Sequence, residues 1–294
     1  MGIFDRLSPI TTNPLDDMSD RFDELVQLMA KLRAPDGCPW DRKQTHESLK
    51  PYLLEETYEV LDTIDRQETG KLREELGDLL LQILFHAQIG AEAGTFTIEE
   101  VMRQLAEKLV RRHPHIFGKM EGGDSLDADQ VYLKWEQIKR DERKQAGGAE
   151  SALDGVPQTL PALLRAFQLQ ARASRVGFDW PHTREGTEQV MDKIEEEVRE
   201  VRQAMTSSTG ETQRRIEAEF GDLLFALVNL ARFLKVNPED ALRGATNRFI
   251  KRFQQMEAEA ARSGRTLDSM SLAELDALWE SAKQKRSTGL SCEA

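Results

Sequence analysis

An acidic pattern that occurs twice constrains the fold of this chain more than any other feature. In its second copy, Glu197 and Glu200 form one pair, and Glu219 and Asp222 form another. Residues three apart share one face of a helix, so each pair projects from one side. A polar break around Gly210 lets the two helices fold back as an antiparallel hairpin. Both helices rise about 1.5 Å per residue, so the sequence predicts that the four carboxylates face each other at one level.

The same pattern occurs earlier in the chain. Its members lie 141 residues before the first pair and 144 residues before the second; they are Glu56, Glu59, Glu75 and Asp78. Chance seldom repeats a four-residue pattern at matched spacing, so we interpret the chain as one module present twice. Alternation of β-branched residues is absent. The predicted fold is therefore all-α, as a tandem repeat of two helical-bundle modules.

The repeat also predicts the domain boundaries. Residues 17–144 form the N-terminal module, residues 145–160 are a linker by composition, and residues 161–286 form the C-terminal module. The C-terminal module is predicted to be the main catalytic one. Position 193 is Lys there, whereas its counterpart Tyr52 carries no positive charge. Pro114 also cuts short the N-terminal helix that corresponds to the one continuing past Arg252.

Charge and composition exclude several classes of protein. The formal net charge of −12 argues against a general binder of nucleic acid or of acidic membranes. The two cysteines have no zinc or disulfide spacing, which favours a reducing compartment. No signal pattern and no apolar run of membrane-span length occur, so we expect a cytoplasmic protein. No GxxxxGK[ST] stretch is present, which excludes a P-loop NTPase.

Four facing carboxylates predict a metal site. Without a cation they would repel each other or take up protons. Their oxygen ligands favour Mg²⁺, Mn²⁺ or Ca²⁺ over zinc and copper, and we expect Mg²⁺ with Mn²⁺ as a substitute. A single Glu-x-x-Glu more often lies on a solvated helix face, but the repeat and the apolar neighbours favour the metal site. A di-iron bundle requires Glu-x-x-His on two helices, whereas both copies here carry Glu-x-x-Asp.

Basic residues follow the acidic pattern at helical spacing. Arg248 and Arg252 are one turn apart, as are Trp279 and Lys283, and Arg215 precedes the second acidic pair by four residues. Such pairs usually lie on solvated faces, but beside a metal cluster guanidinium groups would bind phosphate oxygens. Trp279 is open to two interpretations, as a core residue or as a contact for a base or ribose.

Several segments resemble a known family. They are GCPWDRKQTHESLKPYLLEETYEVLD, EELGDLLLQILFHAQ, LDGVPQTLPALLRAFQLQ, VGFDW and EFGDLLFALVNLARFL. Together they are similar to the MazG family of tandem-domain nucleoside triphosphate pyrophosphohydrolases, in the all-α NTP pyrophosphatase superfamily. The resemblance covers roughly residues 17–286. It implies Mg²⁺-dependent hydrolysis of ribo- and deoxyribonucleoside triphosphates to monophosphate and pyrophosphate, a homodimer, a housekeeping role in the nucleotide pool, and an active C-terminal module.

The resemblance also implies roles for individual residues. The metal ligands would be Glu197, Glu200, Glu219 and Asp222, with Glu56, Glu59, Glu75 and Asp78 as their N-terminal counterparts. The residues around the nucleotide would be Lys193, Glu196, Arg215, Arg248, Arg252, Trp279 and Lys283. Family members often have Lys where this chain has Arg215 and Arg248, which preserves the charge but changes the geometry of phosphate binding.

The expected mechanism is attack of a metal-activated water on the α-phosphate, with Glu196 as the candidate proton acceptor. Two alternatives stay open at this point. The chain could be a narrower pyrophosphatase for one nucleotide, such as dUTP or phosphoribosyl-ATP. It could also be a non-catalytic assembly protein whose acids hold a structural cation. The sequence identifies no regulatory protein partner and no base preference.

Overall fold

A computed structural model of the chain describes residues 14–118, 127–145, 151–206 and 212–284. In these ranges the chain forms twelve α-helices, one short 3-10 helix and no β-strand, which confirms the all-α prediction. None of these helices has the length and apolar character needed to cross a membrane. The predicted break around Gly210 lies outside the described residues.

The chain divides into two compact units, Met1–Asp141 and Glu142–Ala294. Each unit contains one copy of the acidic pattern, as a tandem repeat of helical modules requires. The division falls inside a helix, three residues before the module end predicted at 144. The exact module and linker boundaries stay predictions.

The first unit is built around an antiparallel hairpin. Its helices, the last of which crosses the division, are α1 (Pro14–Arg33), α2 (Pro39–Lys43), α3 (Lys50–Arg66), α4 (Thr69–Glu92), α5 (Ile98–Arg112), α6 (Pro114–Phe117) and α7 (Ala128–Gln145). Helices α3 and α4 form the hairpin, and both α1 and α5 pack against α4. The buried cluster of this unit contains Met29, Leu49, Leu84 and Phe85. Helix α4 is therefore the central element of the unit.

The second unit repeats the hairpin. Its helices are α8 (Ala162–Ser174), α9 (Arg184–Thr206), α10 (Thr212–Phe233), α11 (Pro238–Arg262) and α12 (Leu272–Gln284), with a 3-10 turn at Leu267–Ser269. Helices α9 and α10 form the hairpin, and α8 packs against both α10 and α11. Helix α12 packs on α11. Helix α8 and the loop that precedes α9 thus lie next to one face of the hairpin.

Two helix starts show how local sequence sets the elements. The Thr97 hydroxyl accepts a hydrogen bond from the Glu100 amide, and the Glu100 carboxylate accepts one from the Thr97 amide, so the two residues form a capping box at the start of α5. At α11, Asn237 Oδ1 accepts hydrogen bonds from the amides of Glu239 and Asp240. Each cap satisfies N–H groups that have no partner inside the helix.

A glycine sets the position of the loop before α9. A Cβ added at Gly186 would lie 1.8 Å from the carbonyl oxygen of Pro181, far inside contact distance. Only glycine therefore lets the first turn of α9 lie this close to the loop. The same loop carries Phe178, Asp179 and Trp180, which become important below.

Candidate metal centre and adjoining cavity

The second hairpin brings three of its four predicted ligands into one group. Glu197, Glu200 and Glu219 each offer a carboxylate oxygen, and these oxygens lie within 4.8 Å of one another. Glu197 is only 4 % exposed, and its Oε2 is buried with no hydrogen-bond partner among the described residues. Burial, together with the charges of Glu197 and Glu219, raises the pKa of Glu200. Asp222 is not part of this group but lines the adjoining cavity with Glu197 and Glu200.

The first hairpin assembles a similar group from a slightly different set. Oxygens of Glu56, Glu75 and Asp78 lie within 4.8 Å of one another. Burial and the Asp78 charge raise the pKa of Glu56. Glu59 is outside the group, although the neighbouring Glu75 charge raises its pKa. Both hairpins therefore concentrate negative charge, as the sequence predicted.

The side chain of Lys193 contacts the second acidic group. Its Nζ lies 2.8 Å from Glu197 Oε1 and 2.9 Å from Glu196 Oε1, and these contacts raise the pKa of the lysine. Arg215 Nε lies 3.5 Å from Glu219 Oε1. The predicted residues Lys193, Glu196 and Arg215 thus lie beside the carboxylates.

The counterpart of Lys193 in the first unit contacts an aromatic ring. Tyr52 contacts Trp40 edge to face, with ring centroids 5.7 Å apart. Trp40 in turn contacts the buried Phe85 at 6.4 Å. The first unit therefore places aromatic side chains where the second unit has a lysine.

The remaining predicted nucleotide contacts form a separate cluster on α11 and α12. The Arg252 guanidinium lies 5.6 Å from the centre of the Trp279 ring, and Lys283 Nζ lies 5.9 Å from it. Phe249 contacts the same ring at 5.3 Å. Arg248 is exposed on α11. As far as the structure describes the chain, Arg248, Arg252, Trp279 and Lys283 are absent from the cavity lining.

A cavity of about 640 Å³ adjoins the second acidic group, within the size range of small-molecule sites. Helices α8, α9 and α10, the loop before α9 and Leu153 in the segment before α8 form its walls. Besides the acids and Lys193, its lining includes polar and aromatic residues that we did not predict: Gln170, Phe178, Asp179, Trp180, Phe225, Asn229 and Arg232. The FQLQ and VGFDW stretches contain several of them, but helical periodicity assigned them no role.

A buried ion pair holds one wall of the cavity. Arg232 Nη2 lies 2.5 Å from Asp179 Oδ1, and Nη1 lies 2.7 Å from Oδ2. Burial would raise the pKa of Asp179, but the hydrogen bonds and charge of Arg232 outweigh it and lower the pKa. The pair ties the loop before α9 to α10.

Two helical hairpins, each with a group of carboxylates that could hold a metal ion, define a class of all-α proteins with acidic hairpin sites. The chain belongs to the MazG nucleotide pyrophosphohydrolase family, whose domain model matches residues 44–117 and 185–256. The two matches confirm the tandem repeat. Each covers the acidic pattern of one hairpin, but Gln170 and the loop before α9 lie outside them.

Full-length relatives support this membership. The chain is 49 % identical, over 89 % of its length and 95 % of the other protein, to the nucleoside triphosphate pyrophosphohydrolase/pyrophosphatase MazG of Thermotoga maritima. It is 42 % identical, over 90 % of its length and 98 % of the other protein, to the nucleoside triphosphate pyrophosphohydrolase of Escherichia coli. Both relatives are thus similar along nearly their whole length.

Proposed function

We propose that this protein hydrolyses nucleoside triphosphates, ribo- and deoxyribo-, to monophosphate and pyrophosphate with Mg²⁺ in the C-terminal module. The observation that carries the proposal is the group of Glu197, Glu200 and Glu219, of which Glu197 and Glu200 line the 640 Å³ cavity. Membership of the MazG family and the names of the two relatives point to the same reaction.

The acidic group fits a divalent cation by its chemistry. It offers several carboxylate oxygens, the ligands that Mg²⁺ and Mn²⁺ prefer. The buried Oε2 of Glu197 has no hydrogen-bond partner among the described residues, and burial and the neighbouring carboxylates raise the pKa of Glu200. A cation held by Glu197, Glu200, Glu219 and Asp222 would relieve both. For the first unit, the corresponding proposed ligands are Glu56, Glu59, Glu75 and Asp78.

When bound, the cation would polarise phosphate oxygens and make a water molecule more acidic. The chain's own residues would place the triphosphate. Lys193 and Arg215 lie beside the carboxylates and would bind phosphate oxygens there. Glu196, whose carboxylate is partly exposed next to Lys193, would accept the proton of the attacking water. Attack in line at the α-phosphorus would then release pyrophosphate.

We also propose a homodimer with pockets at or near the subunit interface. Helix α11 exposes the large apolar residues Phe249, Ile250 and Phe253 next to Arg248 and Arg252. A second copy covering this face would bury apolar surface and bring the basic cluster near a cavity. Light scattering should give the mass of a dimer; a monomer that keeps its activity on dilution would contradict this assembly.

Product analysis tests the reaction. With ATP and Mg²⁺ we expect AMP and pyrophosphate, whereas ADP and phosphate would identify a phosphatase instead. EDTA should abolish turnover and Mg²⁺ or Mn²⁺ should restore it; full activity in the chelator would reject the metal mechanism. Turnover of a single nucleotide in a panel of NTPs and dNTPs would indicate a narrow pyrophosphatase. No turnover at all would favour an assembly protein. A cytoplasmic location stays a prediction.

A further inference from the structure

Two amide side chains in the cavity have orientations set by their neighbours. Gln170 on α8 is 7 % exposed, and its Nε2 donates a hydrogen bond to the Phe225 carbonyl oxygen at 2.8 Å. A carbonyl only accepts, so the amide must present nitrogen to Phe225 and keep Oε1 on the other side. That Oε1 is buried and has no partner in the described part of the chain. Buried polar atoms are normally hydrogen-bonded, so this acceptor is available to a donor on a molecule that enters the cavity.

Asn229 on α10 is oriented in the opposite sense. It is 9 % exposed, and its Oδ1 accepts hydrogen bonds from Arg232 Nη2 at 2.6 Å and Nε at 3.1 Å. A guanidinium only donates, so the atom facing Arg232 must be the amide oxygen. Arg232 is itself held by Asp179. The side chain of Asn229 therefore keeps its Nδ2 donors for another partner.

We propose that Gln170 and Asn229 bind the base of the nucleotide, with Gln170 Oε1 as acceptor and Asn229 Nδ2 as donor. This inference rests on the proposed function, because it assigns the base to the cavity whose other wall carries the acids. Arg232 and Asp179 act as positioning residues that set the direction of the Asn229 amide.

The chemistry of nucleobases matches this pair. Each common base carries an acceptor next to an N–H donor on its pairing edge, and proteins read that edge by hydrogen bonds while stacking aromatic rings on its faces. Phe178, Trp180 and Phe225 line the same cavity, and Phe178 is 83 % exposed. One acceptor and one donor suit every common base. The pair therefore favours a substrate that carries a base over one that lacks it, but does not select one base over another.

The first unit lacks this pair. The counterpart of Asn229, at the offset of 144 residues, is Phe85, which is buried in the apolar core. The counterpart of Arg232 is Gln88, which donates to Glu92 instead. The proposed base contacts thus belong to the second unit.

The test compares ATP with ribose 5-triphosphate, which has the same phosphates and no base. Gln170→Leu and Asn229→Leu should each lower kcat/KM for ATP by about tenfold, the effect of one hydrogen bond, and leave ribose 5-triphosphate within about twofold. Asn229→Asp keeps the oxygen that faces Arg232 but replaces the donor with an acceptor. The ratio of kcat/KM for ATP to kcat/KM for ribose 5-triphosphate should therefore fall in this variant as well. Gln213→Leu, at an exposed site on α10, is the matched control and should change neither substrate.

The outcomes separate the two proposals. Equal losses on both substrates, or no loss on ATP, would overturn the base contacts while leaving the proposed function intact. If the wild type turned over no nucleotide, the proposed function would fail. Calorimetric binding of AMP against ribose 5-phosphate would then decide the base contacts: a preference for AMP that the variants lose supports them, and equal affinities overturn them.

Discussion

The two hairpins carry the same acidic pattern but differ in the space beside it. In the second unit, Lys193 reaches the carboxylates and Asn229 lines a cavity of about 640 Å³. In the first unit, the corresponding positions are Tyr52, packed against Trp40, and the buried Phe85. The same acidic pattern therefore has different neighbouring side chains in the two units. The side chains beside the acids thus distinguish the two units more than the acidic pattern does.

The largest expected difference in activity is between two variants that each remove the equivalent acid from one hairpin. Glu219→Gln removes a proposed ligand and its charge, so kcat/KM on one NTP should fall at least about a hundredfold, since such a metal contributes several kcal/mol. Glu75→Gln should leave the activity close to that of the wild type. Steady-state assays side by side check this. If Glu75→Gln is the more damaging change, catalysis belongs to the first unit.

The next effect concerns stability. Asp179→Asn should destabilise the second unit by on the order of 3 kcal/mol at pH 7, because it leaves the buried Arg232 charge uncompensated. The lowered pKa of Asp179 means that its stabilisation is present above its unfolded pKa and is lost as the pH falls through the folded value. The difference between variant and wild type should therefore shrink below about pH 4.

Unfolding followed by calorimetry across this pH range measures that difference. Glu92→Gln in the first unit is the matched comparison, because Glu92 pairs with Arg33 but its side chain is 38 % exposed. We expect a smaller cost there. A cost for Asp179→Asn that stays constant from pH 7 to pH 3 would contradict the assigned charge effect.

Exchanging the residues at positions 193 and 52 should have an intermediate effect on kcat/KM. Lys193→Tyr would remove the proposed charged hydrogen bond to phosphate, which is about 1.5–3 kcal/mol, or roughly tenfold to a hundredfold in kcat/KM. The reverse change, Tyr52→Lys, should not make the first unit active, because Trp40 and Phe85 remain. Assays of Tyr52→Lys combined with Glu219→Gln test this; recovered turnover would show that the lysine alone separates the units.

The smallest expected effect is the loss of stability when one helix cap is removed from each unit. Thr97→Ala and Asn237→Ala should each lower the free energy of unfolding by about 1 kcal/mol, since each removes the acceptor of N-terminal amides. Neither side chain lies in the described cavity lining, so kcat/KM should stay unchanged. Thermal unfolding and a standard assay check both. Lost activity in Asn237→Ala alone would link α11 to the site.

Periodicity and repetition predicted much of this molecule. The all-α fold and the tandem modules follow from rules of spacing and repetition, and both are confirmed. The acidic groups could be anticipated because i,i+3 spacing determines which side chains share a helix face. The roles assigned to the individual site residues stay predictions, to be tested by the variants above.

The cavity lining could not be predicted in the same way. Gln170 and Asn229 come from different helices, and Asp179 comes from a loop, so no spacing in the sequence connects them. Their meeting depends on how α8 packs against α10 and on the loop before α9. The direction of each amide depends further on its neighbour, which only three-dimensional contacts reveal. By contrast, the difference between Tyr52 and Lys193 was visible in the sequence as a missing positive charge.

The contact between Gly186 and Pro181 has a consequence for how this protein tolerates mutation. Any side chain at position 186 would push the loop before α9 away, because even a Cβ would overlap the Pro181 oxygen. Phe178, Asp179 and Trp180 would move with that loop and take one wall of the cavity with them. In a scan of all substitutions, position 186 should therefore rank among the most sensitive sites although it touches no proposed ligand, and a second-site revertant would be expected in the loop rather than in α9.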